Sequence, residues 1–376
     1  MELRNIFTDR FESLELPGDA HAFLSQAGFK PEEIYMAPGL FDLQINGYRS
    51  LDFNEQGLSV PEIEAVVIEL LKDGVTGFFP TLITNDPHVL ETNLEILNKA
   101  LAENPLISAC VPGFHLEGPF ISPEPGFSGA HNRKWIRKPD WSLFERWQKI
   151  AGNHIKLITL SPEYEGSLAF IEKCHKNGVK VAIGHSSAGR DQIRQAIAAG
   201  ASLSTHLGNA IPAYIHRHEN SLFEQLAEEE LYASIITDGY HLPESLIKII
   251  LRSKPGKVFL ISDSTRFTGL KAGVYDTPIG GRVELDDKRK LTILNHKEYF
   301  AGSASSLFQC VEFICQRNML PLPEAWYAAS VLPQKYLNRG YAAAPKMQEF
   351  VLFAYKNQSI RILLTKKQDR FFSPYR

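Results

Sequence analysis

Along the middle of the chain, short runs rich in Val, Ile, Leu, Phe and Thr alternate with longer stretches whose apolar residues recur at helical spacing. The short runs read as buried strands and the longer stretches as amphipathic helices, which together make the repeated βα grammar of a parallel sheet. Strands are predicted at 40–45, 76–83, 109–116, 155–160, 180–184, 202–205, 233–237 and 258–262. Between the first two, Ile63, Val66, Val67, Leu70 and Leu71 form one apolar stripe. Ser59 and Glu62 stand at capping-box spacing just ahead of it. Gly74, Gly178 and Gly200 each end a helical stretch immediately before a strand, as a left-handed helix stop would.

Eight such strands fit a closed (β/α)8 TIM barrel better than an open sheet, because no G-x-G-x-x-G marks a dinucleotide crevice. Helices are expected at 305–317 and 323–337, and the tail from 350 to 364 alternates like an antiparallel hairpin turning at Lys356-Asn357-Gln358. Weak strand signals near 5–8 and 12–16 suggest that the first segment pairs with this hairpin. The expected organisation is therefore a small β-domain from residues 1–38 plus 346–376, beside a barrel spanning 39–345.

Composition adds constraints without changing this outline. A chain of 376 residues with 44% hydrophobic positions can fill a barrel of about 250 residues and still leave an appendage. Forty Lys and Arg against 43 Asp and Glu give a net charge of −3, which offers no basic excess for nucleic acid or an anionic membrane. The four cysteines contain no C-x-x-C and read as free thiols of a reducing compartment. With no apolar leader and no membrane-length apolar run, a soluble cytoplasmic protein is expected.

Chemistry in a barrel gathers at the C-terminal ends of the strands. Here those ends carry Gln44 and Asn46, His115 and Glu117, His185, His206, Asp238 and His241, and Asp263. Any one strand-end histidine is more often structural than a ligand. One carboxylate and two imidazoles from three strands, however, form the three-ligand set of a catalytic metal site, with Asp263 placed to take a proton from water. His115 shares strand parity with Glu117 and is expected to support the site, whereas His21, His88, His154, His175 and His296 read as solvated. Gly184-His185-Ser186-Ser187-Ala188 lacks the second glycine of a nucleophile elbow, and no H-E-x-x-H or P-loop is present.

Seven motifs in order carry a resemblance: Pro38 to Gly47, His115 to Phe120, Gly129-Ala130-His131-Asn132, Gly184-His185-Ser186, Thr205 to Ala210, Asp238 to His241 and Ala301-Gly302-Ser303. They resemble the N-acetylglucosamine-6-phosphate deacetylases of the amidohydrolase superfamily. The resemblance implies a metal-dependent barrel with a small β-domain, acting on an amino sugar phosphate as a cytoplasmic homodimer. It implies Glu117, His185 and His206 as ligands of the catalytic metal, with Asp263 as general acid and base. Around the sugar and its acetamide it implies Ala130, His131, Asn209, Ala210, Asp238 and His241, with Phe300, Ala301 and Gly302 closing the pocket.

One divalent ion per subunit is expected, because Gln44 and Asn46 replace the H-x-H of two-metal relatives and neutral amides are poor ligands. Zinc is the first candidate, with iron, manganese or cobalt as other occupants. Arg217, assisted by His218, is the candidate for the phosphate, although the Pro-Gly pair that follows this Arg in the family is missing. The competing expectations are an amidohydrolase for an unphosphorylated or differently substituted N-acetyl amino sugar, and a non-catalytic sugar-phosphate-binding barrel.

Overall fold

The molecule, a computed structural model, is described over residues 2–16, 24, 28–277, 281–339 and 349–375. Its chain begins in a small sheet with β1 (Glu2–Asn5), β2 (Phe11–Ser13) and β3 (Ile34–Ala37). It then enters the barrel at β4 (Leu40–Ile45), followed by a short ribbon of β5 (Gly47–Tyr48) and β6 (Leu51–Asp52). The remaining barrel strands are β7 (Val75–Ile83), β8 (Phe114–Glu117), β9 (Ile155–Leu160), β10 (Lys180–Ile183), β11 (Ala201–Ser204), β12 (Tyr232–Ile236) and β13 (Val258–Ile261). These eight strands lie in sequence order and pair in parallel.

The third strand departs from its expected start at 109. Pro105–Cys110 is a short helix whose first N–H groups are accepted by the Asn104 side chain, so the strand begins only at Phe114. Pro at the first turn and Asn at the cap outweigh the apolar run as local signals. The capping box at Ser59 also differs. Helix Val60–Lys72 begins there, but its cap makes no side-chain bond to the backbone, and Ser59 Oγ instead donates to Glu62 Oε2 at 2.6 Å. Gly74, Gly178 and Gly200 do take positive φ, at +82, +71 and +120°.

Closure of the barrel is irregular. Between β4 and β13 there is one isolated parallel bridge, Ile45 to Ser264. Around it, the amides of Asn46 and Gly47 both donate to the Ser264 carbonyl at 2.9 and 3.1 Å, and the Ser264 hydroxyl donates to the Gly47 carbonyl at 3.2 Å. Below these contacts the buried Asp42 carboxylate accepts the Ser262 amide. Within the barrel, Phe41, Phe79, Leu157, Leu203 and Phe259 pack with Leu332 and Tyr336 of helix Leu322–Tyr336.

After β13 comes an antiparallel sheet that the sequence reading did not anticipate: β14 (Gly273–Asp276), β15 (Arg282–Leu285), β16 (Leu291–Ile293) and β17 (His296–Phe300). The chain returns through helices Leu307–Gln316 and Leu322–Tyr336 to β18 (Glu349–Lys356), β19 (Ser359–Lys367) and β20 (Arg370–Phe372). As expected, both chain ends share one sheet, in the order β2-β1-β3-β18-β19-β20. Asn357 and Gln358 form the tight turn with φ of +51 and +59°, the paired positive values of a type I′ hairpin. His21 and the 345/346 boundary lie outside the described residues. No described helix is long and apolar enough to cross a membrane, and Cys110, Cys174, Cys310 and Cys315 are free and buried.

Trp326 joins the small sheet to the barrel. Its ring stacks on Phe353 of β18 at 4.2 Å, and its indole N–H donates to the Pro38 carbonyl at 2.8 Å. Trp326→Ala is expected to cost roughly 3–5 kcal/mol through the lost aromatic volume and the orphaned carbonyl. The check is the midpoint of chemical denaturation, which should fall markedly below that of the native chain.

Candidate active site and metal centre

The strand ends deliver a compact cluster. Glu117 closes β8, while His185, His206 and Asp263 each stand two residues beyond their strands, with φ of +51, +31 and +49°. Left-handed backbone at non-glycine residues costs on the order of 1–3 kcal/mol each and persists only where surrounding contacts over-determine it. Glu117 Oε1 lies 2.8 Å from His206 Nε2 and 3.0 Å from His185 Nε2, and the two Nε2 atoms are 3.1 Å apart. All three side chains are buried.

The donor set fits a divalent cation. His185 Nδ1 sits 2.8 Å from the Phe127 carbonyl, which can only accept, so in the neutral ring Nε2 carries a lone pair. That lone pair faces a carboxylate oxygen and a second imidazole nitrogen. Three electron-pair donors within 4.8 Å of one another meet in a buried site, as a two-His, one-carboxylate centre requires. Burial opposes ionisation of Glu117, but its close contacts with the His185 and His206 imidazoles outweigh it and hold its carboxyl well below the usual range. Burial likewise opposes charge on His206, where the Glu117 carboxylate wins and raises the imidazole.

Gln44 and Asn46 serve as donors to carboxylates. Gln44 Nε2 reaches Glu117 Oε2 at 3.0 Å, and Asn46 Nδ2 reaches Asp263 Oδ1 at 2.6 Å. Glu117 thus turns one oxygen to the imidazoles and the other to an amide. Asp263 is pushed up to about 6 by burial and by the Glu117 charge, against the pull of His206, His241 and the Asn46 bond.

The surrounding residues are partly assembled. His131 is buried, with Nδ1 2.8 Å from Thr84 Oγ1 and its ring edge-on to His185 at 4.3 Å between centroids; burial pushes its pKa down to about 3. A Cβ on Gly129 would stand 3.1 Å from His185 Cε1, so glycine lets this loop close over the imidazole. Asn209 donates to the His206 carbonyl at 3.2 Å, and Ala210 follows with φ of +50°. Asp238 Oδ2 holds His241 Nδ1 at 2.7 Å while Oδ1 accepts two backbone amides, so Asp238 is engaged through His241. Phe300 stacks on His241 at 5.1 Å, and the Ser264–Ser303 bridge sets Ala301 and Gly302 beside the end of β13.

Ala130 is exposed, and so are Arg217 and His218, on the loop between β11 and helix Ser221–Ala227. No described hydrogen bond joins Arg217 or His218 to the cluster. His115 lies outside it, between Thr159 Oγ1 at 2.7 Å and Thr81 Oγ1 at 3.4 Å. Thr84 escaped the sequence reading although it follows the second barrel strand, where the strand-end rule would have found it. The Phe127 carbonyl, being backbone, leaves no sequence signal.

Because Gln44 Nε2 holds the second oxygen of Glu117, Gln44→Leu is expected to weaken metal retention about 10–100-fold. Competition with a chromophoric chelator measures this directly, and native-like retention would show that the amide has no such effect.

No protein-family profile matches the chain. An N-acetylglucosamine-6-phosphate deacetylase of Bacillus subtilis is 34% identical over 267 residues, 70% of this chain and 66% of that one. The enzyme of the same name from Mus musculus is 30% identical over 316 residues, 80% of this chain and 74% of its own length. Among solved structures, the deacetylase of Mycobacterium smegmatis superposes with a TM-score of 0.78 at 25% identity, covering 90% of this chain and 87% of that one. The Pasteurella multocida structure, at 24% identity, shares the fold with a TM-score of 0.82 over 99% of this chain and 98% of that one. The chain belongs to the N-acetylglucosamine-6-phosphate deacetylase family of the amidohydrolase superfamily.

Proposed function

We propose that this protein hydrolyses N-acetylglucosamine 6-phosphate to glucosamine 6-phosphate and acetate, using one divalent ion, zinc first among candidates, held by Glu117, His185 and His206. The observation that carries the reading is the buried convergence of those three donors on one point, with the raised carboxyl of Asp263 in the same site. When bound, the ion supplies Lewis acidity at the amide carbonyl and at the attacking water.

The side chains do the rest. Asp263 accepts the proton of the attacking water and returns it to the departing amine, which leaves poorly as an anion. A carboxyl raised to about 6 suits both transfers better than an ordinary one. Asp238 Oδ2 holds His241 Nδ1 and so orients the imidazole assigned to the developing oxyanion. His131, kept neutral by burial, lines the acetamide side with Ala130, Asn209 and Ala210, and the Phe300-Ala301-Gly302 backbone closes the pocket.

For the phosphate, Arg217 is the anchor, with His218 beside it, since a guanidinium suits bidentate phosphate binding. The same loop and the helix after it expose Tyr214 (95%), Ile215 (36%) and Phe223 (51%), apolar surface that supports pairing with a second copy into a homodimer. In this reading the small domain comprises 1–38 plus 346–376, the barrel comprises 39–345, and the enzyme works in the cytoplasm. The exposure of Arg217 favours one second reading, deacetylation of an amino sugar without the phosphate.

Rates on N-acetylglucosamine with and without the 6-phosphate separate the two. The first reading expects kcat/KM to be far higher for the phosphate ester, and equal values would reject the phosphate assignment. Arg217→Ala should raise KM for the phosphorylated sugar alone. Asp263→Asn should retain stoichiometric metal by elemental analysis yet lose about three or more orders of magnitude in kcat; normal turnover would remove Asp263 from its role.

A further inference from the structure

Asp42 is an acid with no part in the proposed chemistry, yet it is completely buried at the seam between the first and last barrel strands. Among the described residues no Lys or Arg pairs with it. Its partners are the Gln44 amide at 3.2 Å from Oδ1 and the Ser262 amide at 3.3 and 3.2 Å from its two oxygens, together with the Ser262 hydroxyl. Burial pushes its carboxyl up to about 7 in spite of these donors. A carboxyl group in such a place is costly, and an apolar residue would fill the volume more cheaply.

What the carboxylate holds is the approach to Asp263. Asp263 sits in left-handed backbone with φ of +49°, a conformation that a non-glycine residue keeps only under constraint. The constraint comes from both neighbours. On one side Ser262 is bound to Asp42. On the other, the Ser264 amide donates to Ser262 Oγ at 3.2 Å, and the Ser264 carbonyl accepts the Asn46 and Gly47 amides. Asn46 then reaches the Asp263 carboxylate itself at 2.6 Å. A regular ladder is absent here, so these few bonds replace it.

We propose that Asp42 is the positioning residue for Asp263: by clamping the Ser262 amide and hydroxyl across the barrel seam, it fixes the strained turn that aims the Asp263 carboxylate into the site. None of the described hydrogen bonds joins Asp42 to Glu117, His185 or His206. The inference rests on the reading of Asp263 as the proton-transfer group, and it assigns to the seam a function in catalysis as well as in closure.

The metal-loaded enzyme with Asp42→Asn tests this, since the amide keeps one acceptor oxygen but loses the second and sets an N–H against that of Ser262. A misplacement of the acid by a fraction of an ångström to one ångström is expected to lower kcat about 10–100-fold, with KM within about twofold of native and metal content unchanged. Asp42→Ala should be worse than Asp42→Asn, and Ser262→Ala, which keeps the backbone bond, should show a smaller loss of kcat with the same unchanged KM. A folded Asp42→Asn enzyme with native kcat would overturn the proposal. So would a loss of activity that merely tracks lost metal. If Asp42→Asn does not fold, Ser262→Ala decides, and native kcat there counts against the clamp. Asp263→Asn measured in parallel keeps the two ideas apart. If that variant stays active, the catalytic reading fails; if it is inactive while Asp42→Asn is normal, only the clamp fails.

Discussion

Eight parallel strands close around one core only if the first and last also meet, and that closure governs the rest of this molecule. Seven of the junctions are parallel ladders, three of them with a register shift, and each strand is hydrogen-bonded to its neighbour in barrel order. At the eighth, a bridge at Ile45 and Ser264, two amides on one carbonyl and the Asp42 carboxylate complete the circle. Once the ring is closed, its C-terminal ends face one mouth, and residues distant in sequence become neighbours. Glu117 and His206 are 89 positions apart in the chain and 2.8 Å apart in space. Asn46 and Asp263, 217 positions apart, make the same point across the seam.

Glu117, Asp263 and Asp42 respond differently because their neighbours differ. Glu117 has two imidazoles against one oxygen and an amide against the other, and these contacts together outweigh the burial penalty. Asp263 has a like charge nearby and a single amide donor, so the penalty wins and its carboxyl rises. Asp42 has only backbone and hydroxyl donors, and it rises as well. A desolvation penalty is common to all three; the number and charge of the donors decide the outcome. In the proposed reaction, one carboxyl held well below its usual range and one raised to about 6 would divide the holding of a cation from the movement of a proton.

The strand grammar was legible because burial on both faces enforces apolar runs, and seven of the eight expected strands match the observed ones within a residue or so at their ends. The exception, the strand expected from 109, failed because Ala109, Cys110 and Val111 are as apolar as a strand and the decisive signal was Asn104-Pro105 upstream. The sheet from Gly273 to Phe300 was overlooked because its strands are short and half exposed, leaving weak alternation. Ser59 and Glu62 had the right spacing for a box, yet their side chains bond to each other and leave the helix amides alone. Spacing states which groups can meet; competition among partners decides which do.

The sequence by itself determined the barrel, the pairing of both chain ends in one sheet, and the residue types at the strand ends, because each follows from local periodicity or from the chemistry of a side chain. Only the tertiary structure decided how those residues are used. It turned Gln44 and Asn46 into hydrogen-bond donors for Glu117 and Asp263, tied Asp238 to His241, and left Arg217 on an exposed loop. It also gave Asp42, an acid within the buried strand Leu40–Ile45, its place at the seam. Hydrogen bonds depend on direction and on distances of about 3 Å between residues far apart in the chain, and no local pattern encodes that geometry until the barrel closes.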